Sequence, residues 1–151
     1  MARSSTSLPS GSRVYVHDRQ NGTTVLASVS AGEDPVPGNG NSCRPFISSD
    51  GSSVVFVSRA DNLVANDTNM VTDVFVRDLT RGVTERVNVS SNGAEAIPPA
   101  SGGGEAFPGE TEMSAISADG RFVVFESNAT NLVPEVTTDW NIFLPERTVS
   151  P

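Results

Sequence analysis

Short runs of apolar residues, separated by polar and turn-forming stretches, follow one another along the whole chain. Two runs, 54–57 and 123–125, are apolar at successive positions, which is typical of strands covered on both faces. Segment 73–78 alternates valine with other residue types, the period of a strand. Long apolar periodicities of the helical kind are missing from the sequence. The pattern predicts an all-β fold built from short antiparallel strands.

Turn-forming residues divide the stretch 44–90 into strands. Ser-Asp-Gly at 49–51 combines an Asp that accepts local backbone bonds with a Gly that supplies positive φ, so it predicts a tight hairpin turn. We expect strands at 45–49, 53–58, 73–78 and 83–89. Four consecutive antiparallel strands, apolar in the middle and more polar at the outermost strand, are the unit of a β-propeller blade.

Two sequence motifs each occur twice in the chain. Residues 48–64, SSDGSSVVFVSRADNLV, return as SADGRFVVFESNATNLV at 117–133. Residues 14–30, VYVHDRQNGTTVLASVS, return as VFVRDLTRGVTERVNVS at 74–90. Spacings of about 60 to 70 residues are of the order found in propellers and solenoids, where one supersecondary unit is reused because it cannot bury its faces alone.

The repeats predict one complete blade between two partial ones. The expected organisation is an N-terminal tail at 1–13, the outer strands of a blade at 14–30, a linker at 31–43, a complete blade at 44–90, a Gly-, Pro- and Glu-rich insertion at 91–112, and a partial blade with a C-terminal tail at 113–151. A closed propeller needs about four to eight blades of four strands, so this chain predicts an incomplete propeller. We expect it to associate with further copies as a ring or polymer, unless it is a fragment of a longer protein.

These motifs resemble the TolB-like, WD-repeat-like β-propeller repeats of bacterial proteins. The resemblance is carried by S-x-D-G-x-x-V-V-F-x-S at 48–58 and 117–127, A-x-N-L-V at 60–64 and 129–133, and D-V-F-V-R-D-L-x-x-G-x-T at 73–84. It implies a propeller used for binding and scaffolding, in an extracellular or periplasmic location. Two function classes stay open. The first is a non-catalytic module that binds protein or carbohydrate or builds an assembly, and the second is the propeller part of a larger secreted hydrolase or lyase.

The charge balance argues against nucleic acid as a partner. The chain has ten basic residues, all Arg, against 18 acidic ones, for a formal net charge of −8, whereas phosphate binding relies on a basic stripe. No stretch of the sequence approaches the roughly 18 apolar residues of a membrane span. Segment 1–13 lacks the apolar run of a secretory signal. Cys43 is the single cysteine, so no intrachain disulfide is expected.

One loop offers oxygen ligands at a spacing that suits a hard cation. Asp67, Asn69 and Asp73 follow the pattern D-x-N-x-x-x-D, and carboxylate and amide oxygens are the ligands that Ca²⁺ prefers. The pattern lacks the central Gly and terminal Glu of an EF-hand loop, and Asp and Asn more often cap turns by bonding the local backbone. The sequence therefore predicts a calcium site at these three residues, with turn capping as the competing interpretation.

The remaining polar candidates favour structural roles, and no catalytic residue is predicted. His17 is the only histidine and has no second imidazole or Cys nearby in sequence, so a strand-surface position is favoured over a ligand or general base. Asp18 and Asp78 recur at equivalent strand ends before a turn, which favours turn stabilisation. We expect Trp140 to cover the edge of the last blade rather than to anchor a partner.

Overall fold

Residues 11–32, 34–99, 114–135 and 139–147 are described by the structure, a computed structural model. Within these ranges the chain forms nine strands and no helix. The strands are β1 (Tyr15–Asp18), β2 (Thr23–Leu26), β3 (Ser42–Ile47), β4 (Ser53–Ser58), β5 (Asp73–Asp78), β6 (Val83–Arg86), β7 (Ser114–Ile116), β8 (Val123–Ser127) and β9 (Asn141–Phe143). The expected all-β fold of antiparallel strands is confirmed.

Parts of four predicted segments lie outside the described residues. These parts are 1–10 of the N-terminal tail, residue 33 of the linker, 100–112 of the insertion, and 113, 136–138 and 148–151 of the partial blade with its C-terminal tail. In the part of the chain that is described, no helix is long and apolar enough to cross a membrane.

The strands form three antiparallel sheets in chain order. β1 and β2 form a hairpin, β3 to β6 form a four-stranded sheet, and β7 to β9 form a three-stranded sheet; we call these the first, middle and last sheets. β4 and β5 have the bounds that the sequence predicts. β6 ends at Arg86, earlier than expected. It ends there because the Val74 N–H donates to the Asn88 side chain at 2.9 Å instead of a backbone carbonyl.

The middle sheet is buried on both faces. Every residue of β4 and β5 is buried. One face packs on the first sheet through Val54, Phe56, Phe75, Val14 and Ala27. The other face packs on the last sheet through Val55, Val57, Val74, Val76 and Val87, which meet Val123, Phe125, Ala129 and Leu132. Burying a Val or Phe side chain fully contributes about 1.5–3 kcal/mol relative to exposure, so these two clusters hold the three sheets in one stack.

A pair of stacked phenylalanine rings occurs at both sheet junctions. The rings of Phe56 and Phe75 are stacked with centroids 5.9 Å apart, and they belong to the cluster that faces the first sheet. The rings of Phe125 and Phe143 are stacked with centroids 5.6 Å apart, and they pack on the valines of the middle sheet. The middle sheet and the last sheet therefore each present two aromatic rings to the sheet that precedes them in the chain.

The repeated S-x-D-G motif forms the same turn in both copies. Ser48 Oγ donates to Asp50 Oδ1 at 2.5 Å, and Ser117 Oγ donates to Asp119 Oδ1 at 2.6 Å. The glycine that follows has φ of 73° in the first copy and 72° in the second, a conformation that favours glycine. The serine hydrogen bond is the main cause that lowers the pKa of each aspartate. The motif is therefore a structural turn that recurs with the repeat.

The Asn of the A-x-N-L-V motif ties each sheet to the loop before it. Asn62 accepts the Asn39 N–H at 2.9 Å and donates to the Pro37 carbonyl at 3.0 Å. Asn131 accepts the Ile97 N–H at 2.8 Å, and it donates at 2.7 Å to the carbonyl of the residue two positions before Ile97. In both copies one amide side chain pairs a backbone donor and a backbone acceptor of the neighbouring loop. This repeat motif is therefore also a joint between sheets.

Candidate functional site

Four ionisable side chains meet at the loop end of the middle sheet. We call Asp67, Asp73, Arg86 and Glu95 the Arg86 cluster. The Nη1 atom of the arginine lies 3.0 Å from Asp67 Oδ1, 3.2 Å from Asp73 Oδ2 and 2.8 Å from Glu95 Oε1. The arginine side chain is 8% exposed and the two aspartates 5% and 1%, whereas the glutamate is 24% exposed. Three carboxylates thus share one guanidinium in a largely buried position.

Strand pairing places two members of this cluster side by side. Asp73 is the first residue of β5, and Arg86 is the last residue of β6. Because Arg86 pairs with Phe75, it is a diagonal neighbour of Asp73 on the same face of the sheet. Asp67 comes from the loop between β4 and β5, and Glu95 lies in an isolated bridge that follows β6. The cluster therefore connects a strand pair, a long loop and the segment that leaves the sheet.

Neutral side chains supply further hydrogen bonds to these acids. Asp73 Oδ1 accepts from Asn88 Nδ2 at 2.5 Å and from Asn69 Nδ2 at 3.1 Å. Glu95 accepts the Thr68 N–H at 2.8 Å and the Thr68 hydroxyl at 2.6 Å. Hydrogen bonds to charged groups contribute about 1.5–3 kcal/mol each. These bonds fasten the β4–β5 loop to the sheet and to the segment after it.

Asp67 and Glu95 of the Arg86 cluster differ in the direction of their pKa shifts. Burial, followed by the charge of Asp73, raises the pKa of Asp67 to about 6, although Arg86 opposes the rise. The hydrogen bond from the Thr68 hydroxyl holds the pKa of Glu95 below its usual value. Burial alone would lower the pKa of Arg86, but the surrounding carboxylates outweigh it and raise that pKa. Asp67 therefore gains a proton in mildly acidic solution.

The loop predicted to bind calcium contributes two acids to this cluster. The structure brings Asp67 and Asp73 together on Arg86, and Asn69 meets Asp73 through its amide nitrogen, which is a donor and not a metal ligand. A guanidinium thus occupies the position between the carboxylates. Among the described residues, no group of three or more His, Cys, Asp or Glu side chains is arranged to hold a metal ion. The calcium site stays a prediction, and Arg86 is its competitor.

Sequence reasoning missed two members of the cluster, Arg86 and Glu95. A signal for the arginine was available, because the hairpin turn at 79–82 sets the pairing of β5 with β6 and makes Arg86 a diagonal neighbour of Asp73. The glutamate has no comparable signal. It reaches the cluster through an irregular segment whose path depends on tertiary contacts.

The other polar candidates lie on strands and turns. His17 is exposed on β1, and its Nδ1 lies 2.8 Å from Oγ1 of Thr24, its partner on β2. Asp18 and Asp78 each accept backbone N–H groups of the following turn, at 2.7 Å and 2.8 Å for the shortest bonds. Cys43 is exposed on β3, at the edge of the middle sheet. The turn-stabilising role expected for the two aspartates is what their contacts show.

The last sheet has a face on which, among the described residues, some apolar side chains are exposed and others are half-buried. Val123 and Phe125 of β8 point into the core against the middle sheet, so the alternate positions point away from it. We call this surface the tail face, and it consists of Ala115, Val124, Glu126 and Ile142, together with Leu144, since the backbone pairing with β8 continues past β9 to residue 145. Ile142 is 71% exposed and Leu144 66%. Trp140, which precedes β9, is 45% exposed, and its expected role in covering the sheet edge stays a prediction.

A cavity of about 410 Å³ opens on the tail face. Val124 and Ile142 line it together with Phe46, which comes from β3 and is itself 54% exposed. The charged side chains of Arg44 and Glu126 also line this mainly apolar cavity. Concave apolar surfaces with a few polar groups are typical of binding sites.

The first sheet also has an open face. Val14 and Val16 point toward the middle sheet, so the side chains that alternate with them point away. We call this second surface the head face, and it consists of Tyr15, His17, Thr24 and Leu26. Tyr15 is 52% exposed. The stack thus has one open face at each end among the described residues.

No protein-family model matches the chain, and no curated protein matches it either. The resemblance to TolB-like repeats therefore stays an expectation from the motifs.

Proposed function

We propose that the protein is a non-catalytic β-propeller module of the TolB-like kind that acts by assembling with further copies of itself, in an extracellular or periplasmic setting. The observation that carries this proposal is the burial of the middle sheet. Its strands β4 and β5 are buried throughout because a sheet lies on each face. The first and last sheets each have, within the described residues, a neighbouring sheet on one face only.

The form of the sheets supports the propeller part of the proposal. The middle sheet is a meander of four antiparallel strands in chain order, which is the form of one blade. The first and last sheets stack on it face to face, and they contain two and three strands within the described residues. The repeated aromatic pairs and Asn joints give both junctions the same construction.

The contacts of the polar residues support a non-catalytic role. His17 bonds a threonine on the neighbouring strand, and Asp18 and Asp78 bond their own turns. The carboxylates of the Arg86 cluster share a guanidinium and are fastened by Asn and Thr side chains. Each of these groups has a structural partner, as expected for side chains that hold loops in place.

Solution mass is the direct test of assembly. Sedimentation velocity over a range of concentrations should give species heavier than the 15.8 kDa chain, either as one closed ring or as a series that grows with concentration. A single species of 15.8 kDa at every concentration up to about 0.1 mM, together with a cooperative thermal melt, would show that the folded module works alone.

A further inference from the structure

Both sheet junctions inside the chain are built from two unlike halves. One half is a pair of stacked aromatic rings, such as Phe125 and Phe143 of the last sheet. The other half is a face of buried valines, such as Val55 and Val74 of the middle sheet. The aromatic half always belongs to the later sheet in the chain, so every junction has the same direction.

The tail face corresponds to the valine half of such a junction. The repeat and the pairing of β8 with β9 set the correspondence, because Phe125 pairs with Phe143 as Phe56 pairs with Phe75. The corresponding residues are Val124 and Val55, Glu126 and Val57, Ile142 and Val74, and Leu144 and Val76. The four valines of the middle sheet are 0–2% exposed, whereas Ile142 is 71% exposed. The tail face therefore has the form of a junction half without the pair of stacked rings that covers the valines of the middle sheet, and Phe46 of β3 lines the cavity beside it.

The head face carries the matching aromatic residue. Tyr15 occupies the repeat position of Phe75, because residues 14–30 repeat as 74–90. Phe75 is fully buried against the preceding sheet, whereas Tyr15 is 52% exposed. A large ring with a polar hydroxyl suits an interface, since the ring is buried while the hydroxyl stays near water.

We propose that the head face of one copy covers the tail face of a second copy, with Tyr15 packed on Val124 and Ile142. This inference rests on the proposed assembly function and names the two surfaces that meet. The partner is a second copy because the contact continues the junctions already present within the chain, with the same direction and the same residue classes. The contact joins unlike surfaces, so each pair of copies keeps one free head face and one free tail face, which leads to a ring or a filament.

The test uses one variant for each face and their mixture. Tyr15→Glu places a charge on the head face, and Ile142→Glu places one on the tail face. Both side chains are exposed in the single chain, so far-UV circular dichroism spectra should match the wild type, and so should melting curves recorded at a concentration where the wild type is dissociated. Met70→Glu, at a loop residue that is 96% exposed and outside both faces, is the matched control. Leu26→Glu and Leu144→Glu form a second pair if either first variant fails to fold.

Analytical ultracentrifugation should show that wild type and Met70→Glu associate. Each face variant alone should be a monomer, with self-association weakened at least about hundredfold because a carboxylate would have to be desolvated. An equimolar mixture of the two variants should give a dimer that grows no further, because each variant keeps the face that the other has lost.

Two other outcomes would overturn the inference in different ways. If wild type associates and Tyr15→Glu still does so alone, or if the mixture stays monomeric, then assembly occurs through other surfaces and the head-to-tail contact is wrong. If wild type is monomeric at every concentration, the proposed assembly function fails together with this inference.

Discussion

At the scale of single residues, Asp67 is the group whose protonation the fold changes most clearly. Its pKa rises from the usual 3.8 to about 6, so the folded protein binds this proton more tightly than the unfolded chain does. Its contribution to stability is complete below about pH 3.8 and is lost as the pH rises through about 6. Glu95 has the opposite sign, because its pKa is lowered and its contribution is lost on acidification.

Asp67→Asn should remove the loss of stability that occurs as the pH rises through the pKa of Asp67. Protonated Asp and Asn are nearly alike, so the variant and the wild type should differ least at pH 4. The melting temperature of the variant relative to the wild type should then rise between pH 4 and pH 7, because only the wild type ionises in a buried, acidic setting. Thermal melts followed by circular dichroism at several pH values measure this difference.

Glu95→Gln is the matched control for this experiment. It should cost stability at pH 7, and the cost should shrink as the pH falls below the usual range of a glutamate, because the wild-type side chain then loses its charge as well. A melting difference for Asp67→Asn that stays constant from pH 4 to pH 7 would contradict the raised pKa of Asp67.

At the scale of strands and loops, local signals predicted more than long-range ones did. The bounds of β4 and β5 follow from apolar runs between turn residues, and the turn at 49–51 follows from its Ser-Asp-Gly sequence. The early start of β3 was not predicted, because a bulge with Arg44 at φ 53° interrupts its pairing with β4. Glu95 of the Arg86 cluster was missed for a different reason, because tertiary contacts between distant segments bring it there, whereas the pairing of β5 with β6 already places Arg86 beside Asp73.

The calcium prediction can be tested on the loop that carries Asp67, Asn69 and Asp73. Arg86→Gln should destabilise the protein by about 3–5 kcal/mol, because it leaves buried carboxylates without their positive partner. If the loop binds Ca²⁺, millimolar CaCl₂ should restore part of the lost melting temperature in this variant. It should add little to the wild type, where the guanidinium contacts the same oxygens.

Melting curves with CaCl₂, MgCl₂ and EDTA provide the measurement. The double variant Asp67→Asn/Arg86→Gln should lose the rescue by Ca²⁺, because it lacks one of the two carboxylates. If CaCl₂ rescues neither the single nor the double variant, the calcium site is wrong and the loop is held by Arg86 alone.

At the scale of the whole molecule, the stack resembles a short row of equivalent units whose stability comes from junctions between neighbours. Glu126 is the exception in this row. It lies on the tail face at the position of Val57, which is buried in the middle sheet. A carboxylate in this position makes a further junction weaker than the two inside the chain, so the proposed contact between copies should be reversible.

Glu126→Val should therefore strengthen self-association. Burying a valine contributes about 1.5 kcal/mol or more and the cost of desolvating a carboxylate disappears, so the dissociation constant should fall at least about tenfold. Sedimentation equilibrium measures the change. Asp34→Val, which makes the same change of charge in the exposed linker after the first sheet, should leave association unchanged. An equal effect of both substitutions would point to net charge and not to the tail face.

The aromatic pairs at the junctions also give the molecule a polarity. The aromatic rings of a sheet face the preceding sheet and its valines face the following one, so the two directions along the stack are chemically different. Anything grown from such units has two chemically different ends. A tag, a substitution or a binding protein placed at one end would stop growth there and leave elongation at the opposite end untouched.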